Sequence, residues 1–401
     1  MYQVVYSYRA GKEKKTTLAL LTSHYFNDRI TEGHKILSDR IIDIVGKSVD
    51  WNVLIVSLER YDLKEKVSGI SYHEISPRYM DWLANAIWSF NILKSVNIIH
   101  LLAYNKIFPV LLDRFTSMKK HKIIAHLYYH PLAFRDPKYL PIKLLSKLQM
   151  FDAIITTSKA LRERLVTYSP SLYDRVHFIP PLVSEDFFQF DYISSRELTP
   201  QMKKKYGLNE NDFVVSYAGH IIPQRGIFEL VTAFKEASKC NSSLKLVISH
   251  SDIVFKDFSI DYLTLLRRLI TKYSLEKRVV VMGKQDLRTF YTLSDLLFFG
   301  FKDSFYFTYP PLVVCEAMAS GVPFILRSSP IIKELFTDRA PIYAIYVYHH
   351  TNELVDILCE IAENRQRLYT ISKILKNNAR MFFPENVIRK LIEIYYLSLM
   401  R

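Results

Sequence analysis

Short apolar runs alternate with longer amphipathic stretches along nearly the whole chain. That alternation predicts parallel sheets covered by helices. A strand buried on both faces reads as a continuous apolar run, and the crossover between parallel strands is usually a helix. In the first half the predicted strands are 17–23, 51–57, 98–102, 122–128, 153–157 and 176–179. Helices fall between them at 33–45, 78–94 and 158–168, the last with Ser158 as its N-cap. From Val183 to Asp212 the periodicity stops, and the stretch contains Lys203-Lys204-Lys205; it reads as a linker.

The pattern restarts with an apolar strand at 213–217, a loop at 218–224 and a helix at 226–237. Ile227, Leu230, Val231 and Phe234 share one face of that helix. Strands at 244–249, 279–281, 296–299 and 324–326 follow, with helices at 261–274 and 285–293 between them. The chain finishes in helices at 351–364, 366–381 and 384–400. The expectation is an α/β protein of two doubly wound domains, 1–182 and 213–381, joined by 183–212. Ligands of such sheets bind beyond the carboxyl ends of the strands.

Two stretches at such strand ends carry candidate chemistry. The first is Pro310-Pro311 followed by an apolar run to Gly321-Val322-Pro323, with Glu316 in its middle. Proline tolerates a helix start and glycine a helix end, so this is a helix buried on every face. A buried carboxylate must be paired or hydrogen-bonded. Glu316 therefore either receives hydrogen bonds from a ligand in a cleft or is held by a nearby backbone N–H or arginine.

The second stretch is Gly219-His220-Ile221-Ile222-Pro223-Gln224-Arg225-Gly226, between a strand and a helix. A helix N-terminus offers free N–H groups and partial positive charge, and Arg225 can fork onto phosphate oxygens. Gly219 permits close backbone approach. The loop is an anion cradle, or else a plain connection with a surface arginine. A phosphate cradle with a carboxylate that reads ribose hydroxyls suggests a nucleotide diphosphate. No Gly-x-Gly-x-x-Gly follows a strand and no Walker loop occurs, which argues against a dehydrogenase or a P-loop enzyme.

Composition adds limits. Hydrophobic residues are 49% and charged residues 23%, as in a globular protein. No apolar run reaches the ~20 residues of a membrane-spanning helix. The three cysteines, Cys240, Cys315 and Cys359, are few and widely spaced. They indicate neither a disulfide framework nor a zinc site, and a reducing cytosol is expected.

Net charge is +14, and residues 101–150 hold about nine basic side chains against two acidic, interleaved with Phe108, Phe115, Tyr128, Tyr129, Phe134 and Tyr139. This stretch is a face for an anionic membrane or lipid phosphate, or a solvated basic rim over an ordinary core; nucleic acid is the least favoured partner.

A family resemblance rests on these residues. Phe213 to Val322 carries most of it, with Phe151-Asp152-Ala153-Ile154-Ile155-Thr156-Thr157-Ser158, Asp174-Arg175-Val176-His177-Phe178-Ile179-Pro180 and Phe383-Pro384-Glu385-Asn386-Val387 in support. The chain resembles the GT-B glycosyltransferases of family 4, which are retaining and use nucleotide sugars. The resemblance implies two Rossmann-like domains facing a central cleft. It also implies a C-terminal helix crossing back, so that about 382–401 complete the first domain.

It further implies transfer of a sugar from a UDP or GDP donor to a glycan or lipid-linked acceptor; with the cysteine count and the basic stretch 101–150, a cytoplasmic protein working at the membrane face is expected. Gly219, His220 and Arg225 stand in the family's donor loop, with His220 and Arg225 where the family has Arg and Lys. Lys284 lies where the base is contacted, the backbone of Leu312 and Val313 where the diphosphate is held, and Glu316 where the ribose is read. Thr308 occupies the place of a Glu that contacts the transferred sugar, and a neutral hydroxyl cannot supply that charge.

The resemblance also places a histidine at the end of a first-domain strand, beside the reacting carbon. His126 and His130 are the candidates; His130, just past the strand end, is preferred, and a structural histidine is the alternative for each. Of the family's glycine-rich loop only Gly33 is retained, and Arg29 and His34 are either acceptor contacts or exposed loop residues. No Asp-x-Asp occurs, in keeping with a transferase needing no metal or other cofactor. The alternative function is a catalytically silent GT-B module that binds a nucleotide sugar or glycan, or partners an active transferase. A transferase acting on DNA is a third reading, suggested by net charge alone.

Overall fold

The computed structural model describes residues 4–8, 16–22, 33–57, 70–74, 96–102, 121–128, 148–250, 261–302, 310–328, 335–336 and 346–401. The chain divides into two compact units. Unit 1 comprises Met1–Val183, Phe305–Leu312 and Met381–Arg401, and unit 2 comprises Ser184–Ser304 and Val313–Arg380.

The sheet of unit 1 contains β1 (Val4–Tyr8), β2 (Thr17–Thr22), β3 (Asn52–Ser57), β4 (Ile70–Glu74), β5 (Ile98–Leu101), β6 (Lys122–Leu127), β7 (Ala153–Thr156) and β8 (Val176–Phe178). Their order is β4-β1-β3-β2-β5-β6-β7-β8. The six strands from β3 to β8 in that order pair in parallel. β1 pairs antiparallel with both β3 and β4, which corrects the expectation of a wholly parallel sheet. An antiparallel edge needs no helical crossover, and β1 lies in a polar, basic stretch without the apolar run of a doubly buried strand.

The described helices, in chain order, are α1 (Gly33–Ser48), α2 (Lys159–Tyr168), α3 (Glu185–Gln189), α4 (Tyr192–Ser195), α5 (Thr199–Lys205), α6 (Ile227–Cys240), α7 (Tyr262–Lys272), α8 (Leu287–Leu293), α9 (Leu312–Ser320), α10 (Thr351–Glu363), α11 (Gln366–Asn378) and α12 (Pro384–Met400). The helix expected at 78–94 lies outside the described residues. Ser158 caps α2 as its sequence position suggests, its hydroxyl accepting from the Leu161 N–H at 3.0 Å. The core of unit 1 packs Ile99, Ile123, Phe151, Ile154, Leu161 and Leu165 together. In the same unit α12 packs on α1, and its buried Tyr395 reaches the sheet.

Unit 2 has a six-stranded sheet ordered β11-β10-β9-β12-β13-β14, parallel throughout. Its strands are β9 (Phe213–Gly219), β10 (Leu244–His250), β11 (Val279–Met282), β12 (Leu296–Phe299), β13 (Phe324–Arg327) and β14 (Tyr346–Tyr348). Counted from β9, the order is that of a Rossmann sheet, and it reverses between β9 and β12. α6 covers the sheet with Ile227, Leu230, Val231, Phe234 and Ala237, the spacing of one helical face.

Residues 183–212, expected as a linker, hold α3, α4 and α5 and group with unit 2 from Ser184 on. A buried polar clamp attaches α4 and α5. The Asp295 carboxylate, at the start of β12, receives Arg196 Nη1 and Lys203 Nζ, each at 3.1 Å, and the Val214 N–H at 2.8 Å. Lys203 also donates to the Asp212 carbonyl at 2.5 Å, and Tyr192 donates to the Asp295 carbonyl at 2.9 Å. A lysine that reads as part of a solvated run is thus 1% exposed.

Among the described residues no helix is long and apolar enough to cross a membrane.

Candidate functional site

The site is built at the carboxyl ends of β9 and β12, where the strand order of unit 2 reverses. β9 ends in Gly219, and a single 3-10 turn, Pro223–Arg225, leads to Gly226 and α6. Gly226 has φ +73°, a left-handed conformation that glycine adopts without cost. It is the N-cap of α6 and carries no capping side chain, so the first-turn N–H groups of α6 have no cap from that residue. The loop is tied down by Lys302, beyond β12, whose N–H donates to the Gln224 carbonyl at 2.7 Å.

Arg225 folds back over the end of β9. A Cβ on Gly219 would collide with the Arg225 guanidinium, so the absent side chain at 219 is what lets the cation lie there. The Tyr217 hydroxyl holds Arg225 from within the strand and donates to the His220 carbonyl at 2.5 Å. The Phe301 ring lies 5.9 Å from the guanidinium carbon. Burial lowers the pKa of Arg225 somewhat, with the Tyr217 hydroxyl opposing; a guanidinium remains charged regardless.

His220 is different. It is buried, and burial together with the adjacent Arg225 pulls its pKa down to about 4. It is a neutral imidazole near pH 7, so Arg225 supplies the loop's positive charge.

A second layer fixes α6. Glu229, in its first turn, bonds Arg327 Nη1 at the end of β13 at 2.9 Å and receives the Thr351 hydroxyl at 3.2 Å. Lys302 Nζ stands 4.0 Å from the same carboxylate. Neither Tyr217 nor Glu229 was visible as a site residue in the sequence. Tyr217 closes an apolar strand, and Glu229 sits at a solvent-type position of an amphipathic helix.

α9 starts beyond the same sheet edge. All its residues are buried except Val313, which is half-buried, as a helix apolar on every face requires. It ends in a Schellman turn: Val322 N–H bonds the Ala317 carbonyl, Gly321 N–H bonds that of Met318, and Gly321 has φ +68°. Leu312 and Val313 form its first turn, and Glu316 stands in the next. Glu316 is 4% exposed and has an interaction partner within the protein.

Lys284 is exposed just past β11. β10 separates that strand from β9, a distance of roughly 10 Å by strand spacing. Among the described residues no three His, Cys, Asp or Glu side chains are grouped as a metal would need.

In unit 1, His126 is 2% exposed within β6. Its ring stacks on His100 at 5.5 Å and on Tyr128 at 4.5 Å. The Tyr395 hydroxyl meets His100 Nδ1 at 2.7 Å. Burial holds His126 far below the usual imidazole pKa and His100 at about 3, so both are neutral. His130, Thr308 and Arg29 lie outside the described residues, as does most of 101–150. His34 falls within α1.

Comparison with known proteins gives these arrangements a setting. Residues 199–395 match the family described as "Glycosyl transferases group 1". A stretch of 133 residues is 32% identical to N-acetyl-alpha-D-glucosaminyl L-malate synthase of Bacillus anthracis, covering 32% of this chain and 31% of that one. Another of 113 residues is 28% identical to the capsular polysaccharide biosynthesis glycosyltransferase CapM of Staphylococcus aureus, covering 28% and 29%. The chain thus spans under a third of the length of these curated relatives. Among solved structures, HepE of Anabaena in complex with UDP aligns with a TM-score of 0.70 at 15% identity, over 95% of this chain and 99% of that one. The same protein in complex with UDP-glucose aligns at 0.67, with 15% identity, 95% and 99%. At that identity the likeness shows the fold, which is GT-B.

Proposed function

We propose that this chain, whose residues 199–395 carry a glycosyl transferases group 1 domain, moves a sugar from a nucleotide diphosphate sugar to a glycan or lipid-linked acceptor. One observation carries the proposal. At the strand switch point of that domain, Arg225 is anchored over Gly219 beside the N-terminus of α6, where the N-cap brings no side chain. A fixed cation beside a helix N-terminus whose N-cap brings no side chain suits a diphosphate.

In this proposal Arg225, the first turn of α6 and the backbone of Leu312 and Val313 hold the diphosphate. Glu316 accepts from the ribose hydroxyls, and Lys284 lies toward the base. Uridine is the favoured base, because the structurally similar HepE was crystallised with UDP and UDP-glucose. His130 takes the strand-end role in preference to His126, whose ring is enclosed between those of His100 and Tyr128.

The reaction proposed is retaining and free of metal. The sugar leaves through an oxocarbenium-like state, and Arg225 and the helix ends neutralise the charge gathering on the diphosphate. The acceptor hydroxyl attacks the same face and gives its proton to the departing phosphate. The basic, aromatic stretch 101–150 would meet an anionic membrane presenting the acceptor.

The neutral state of His220 and the hydroxyl of Thr308 favour a second reading, a binding module without turnover. One experiment separates the two. UDP, GDP and their glucose and N-acetylglucosamine conjugates are screened for a rise in melting temperature, then for release of free nucleotide. Binding with turnover that vanishes in Glu316→Ala supports the transferase. Binding without turnover supports the silent module, and no shift with any nucleotide sinks both.

A further inference from the structure

Two cysteines far apart in sequence meet in unit 2. Cys240 is the last residue of α6 and is exposed; Cys359 lies within α10 and is half-buried. The two helices pack against each other. Near their N-terminal ends the Thr351 hydroxyl donates to Glu229, and further along the Cys359 thiol lies in the neighbourhood of that of Cys240. The helices therefore run in the same direction, with the thiol pair at the far end of their contact from the β9–α6 loop. Neighbouring thiols on two packed helices need little movement to reach the Cα separation of about 5.5–6 Å of an unstrained disulfide.

We propose that Cys240 and Cys359 are a modification site, forming a reversible disulfide between α6 and α10 by exchange with a low-molecular-weight disulfide. Exposed Cys240 is the entry point. Its thiolate attacks one sulfur of the external disulfide, giving a mixed disulfide on Cys240 and releasing one thiol. Cys359 then gives up its proton and attacks the Cys240 sulfur, releasing the second thiol. Both protein thiols are oxidised, and the external disulfide is reduced to two thiols.

The order follows from the surroundings. Burial and the neighbouring Cys240 hold the Cys359 thiol up at about 12, so Cys359 does not start the exchange. Once Cys240 is capped, one of the groups raising Cys359 is gone, and a disulfide sulfur stands within its reach. Cys315, fully buried in α9, stays reduced and serves as an internal control.

The site is independent of the proposed reaction, and its test does not read activity. The full chain is equilibrated across ratios of oxidised to reduced glutathione, denatured, alkylated and mapped by mass spectrometry. The expected product is a monomer with a Cys240–Cys359 cross-linked peptide and alkylation at Cys315 alone. Its thermal midpoint rises by about 5–10 °C, since the bond closes a long loop, and dithiothreitol reverses the rise. Cys240→Ser and Cys359→Ser each abolish it. Glutathione held on Cys240 while Cys359 is alkylated at every ratio, or Cys240 joining two chains, overturns the proposal.

Discussion

Gly226 lies against Gly300, backbone on backbone: a Cβ placed on Gly226 would come within 2.5 Å of the Gly300 carbonyl oxygen. One glycine opens α6 and the other follows β12, so the contact joins the two strands between which the sheet order reverses. Gly226→Ala brings a steric overlap and a left-handed φ of +73° together. The expected loss of stability is about 2–4 kcal/mol, seen as a lower urea midpoint. The thermal shift given by UDP should fall with it, because the loop's position fixes Arg225. A variant with wild-type stability would show that the loop has room to move away.

Tyr217, buried in β9, positions Arg225. Tyr217→Phe removes the hydroxyl that meets Arg225 and donates to the His220 carbonyl. Loss of a bond to a charged group of this kind is worth roughly 1–2 kcal/mol, or about 5–30-fold in donor affinity. Isothermal titration with UDP-glucose reads it directly. Unchanged affinity would mean that Arg225 holds its place alone.

The pH dependence of donor binding isolates the same cation. His220 titrates near 4, and UDP-glucose carries no group that titrates near neutrality. Affinity should therefore be flat between about pH 6 and pH 8, while Arg225→Ala weakens it at every pH. A midpoint near pH 6.5 would show a His220 that charges in the complex.

Much of this was legible in the sequence, for a physical reason. Strands buried on both faces announce themselves as apolar runs, so β2, β3, β5 to β13 fall within a residue or two of their expected limits, β12 at its exact bounds. β1, β4 and β14 escaped: two belong to an antiparallel edge, and β14 has three residues. Helices α3, α4 and α5 are at most seven residues long, too short to show a period of 3.6. What holds α4 and α5 is the Lys203–Asp295–Arg196 clamp, and pairing across more than ninety residues leaves no local pattern. At the site, the glycines and Arg225 stood out. Tyr217 acts on the loop that follows its own strand, and Glu229 pairs with Arg327 and Thr351 far along the chain, which no spacing rule reveals.

Stability should fall as the solution is acidified, through His100 and His126. Both are neutral in the fold, with pKa values held by burial below the usual 6.5, at about 3 for His100. Between those limits the unfolded chain binds more protons than the folded one, so stability rises with pH and is lost as pH drops below about 6.5. Each residue adds a slope of up to about 1.4 kcal/mol per pH unit. His126→Phe keeps an aromatic ring between His100 and Tyr128 but removes one titrating group. Urea midpoints at pH 7 and pH 5 should differ less in this variant than in the wild type; an equal difference would mean that His126 is already charged in the fold.

The clamp between Lys203 and Asp295 gives the sharpest asymmetry. Their side chains are 2% and 7% exposed and 3.1 Å apart. Burial lowers the pKa of Lys203 and Asp295 opposes that, so desolvation and attraction compete, and the pair is a doubtful source of net stability. Removing one partner is another matter. Asp295→Asn leaves two cations, Lys203 and Arg196, facing each other without their carboxylate, and should cost about 3–5 kcal/mol. Lys203→Met keeps an apolar stem in place and leaves Asp295 with Arg196 and the Val214 N–H, so about 1–3 kcal/mol is expected. Combined, the two substitutions should cost less than their sum, because the second removes a charge that the first had stranded. Hydrogen exchange should speed in α4 and α5 before the sheet opens, since the clamp is what attaches them. If Lys203→Met costs as much as Asp295→Asn, the carboxylate is not the hub of the clamp, and the attachment of residues 184–212 must rest on apolar packing instead.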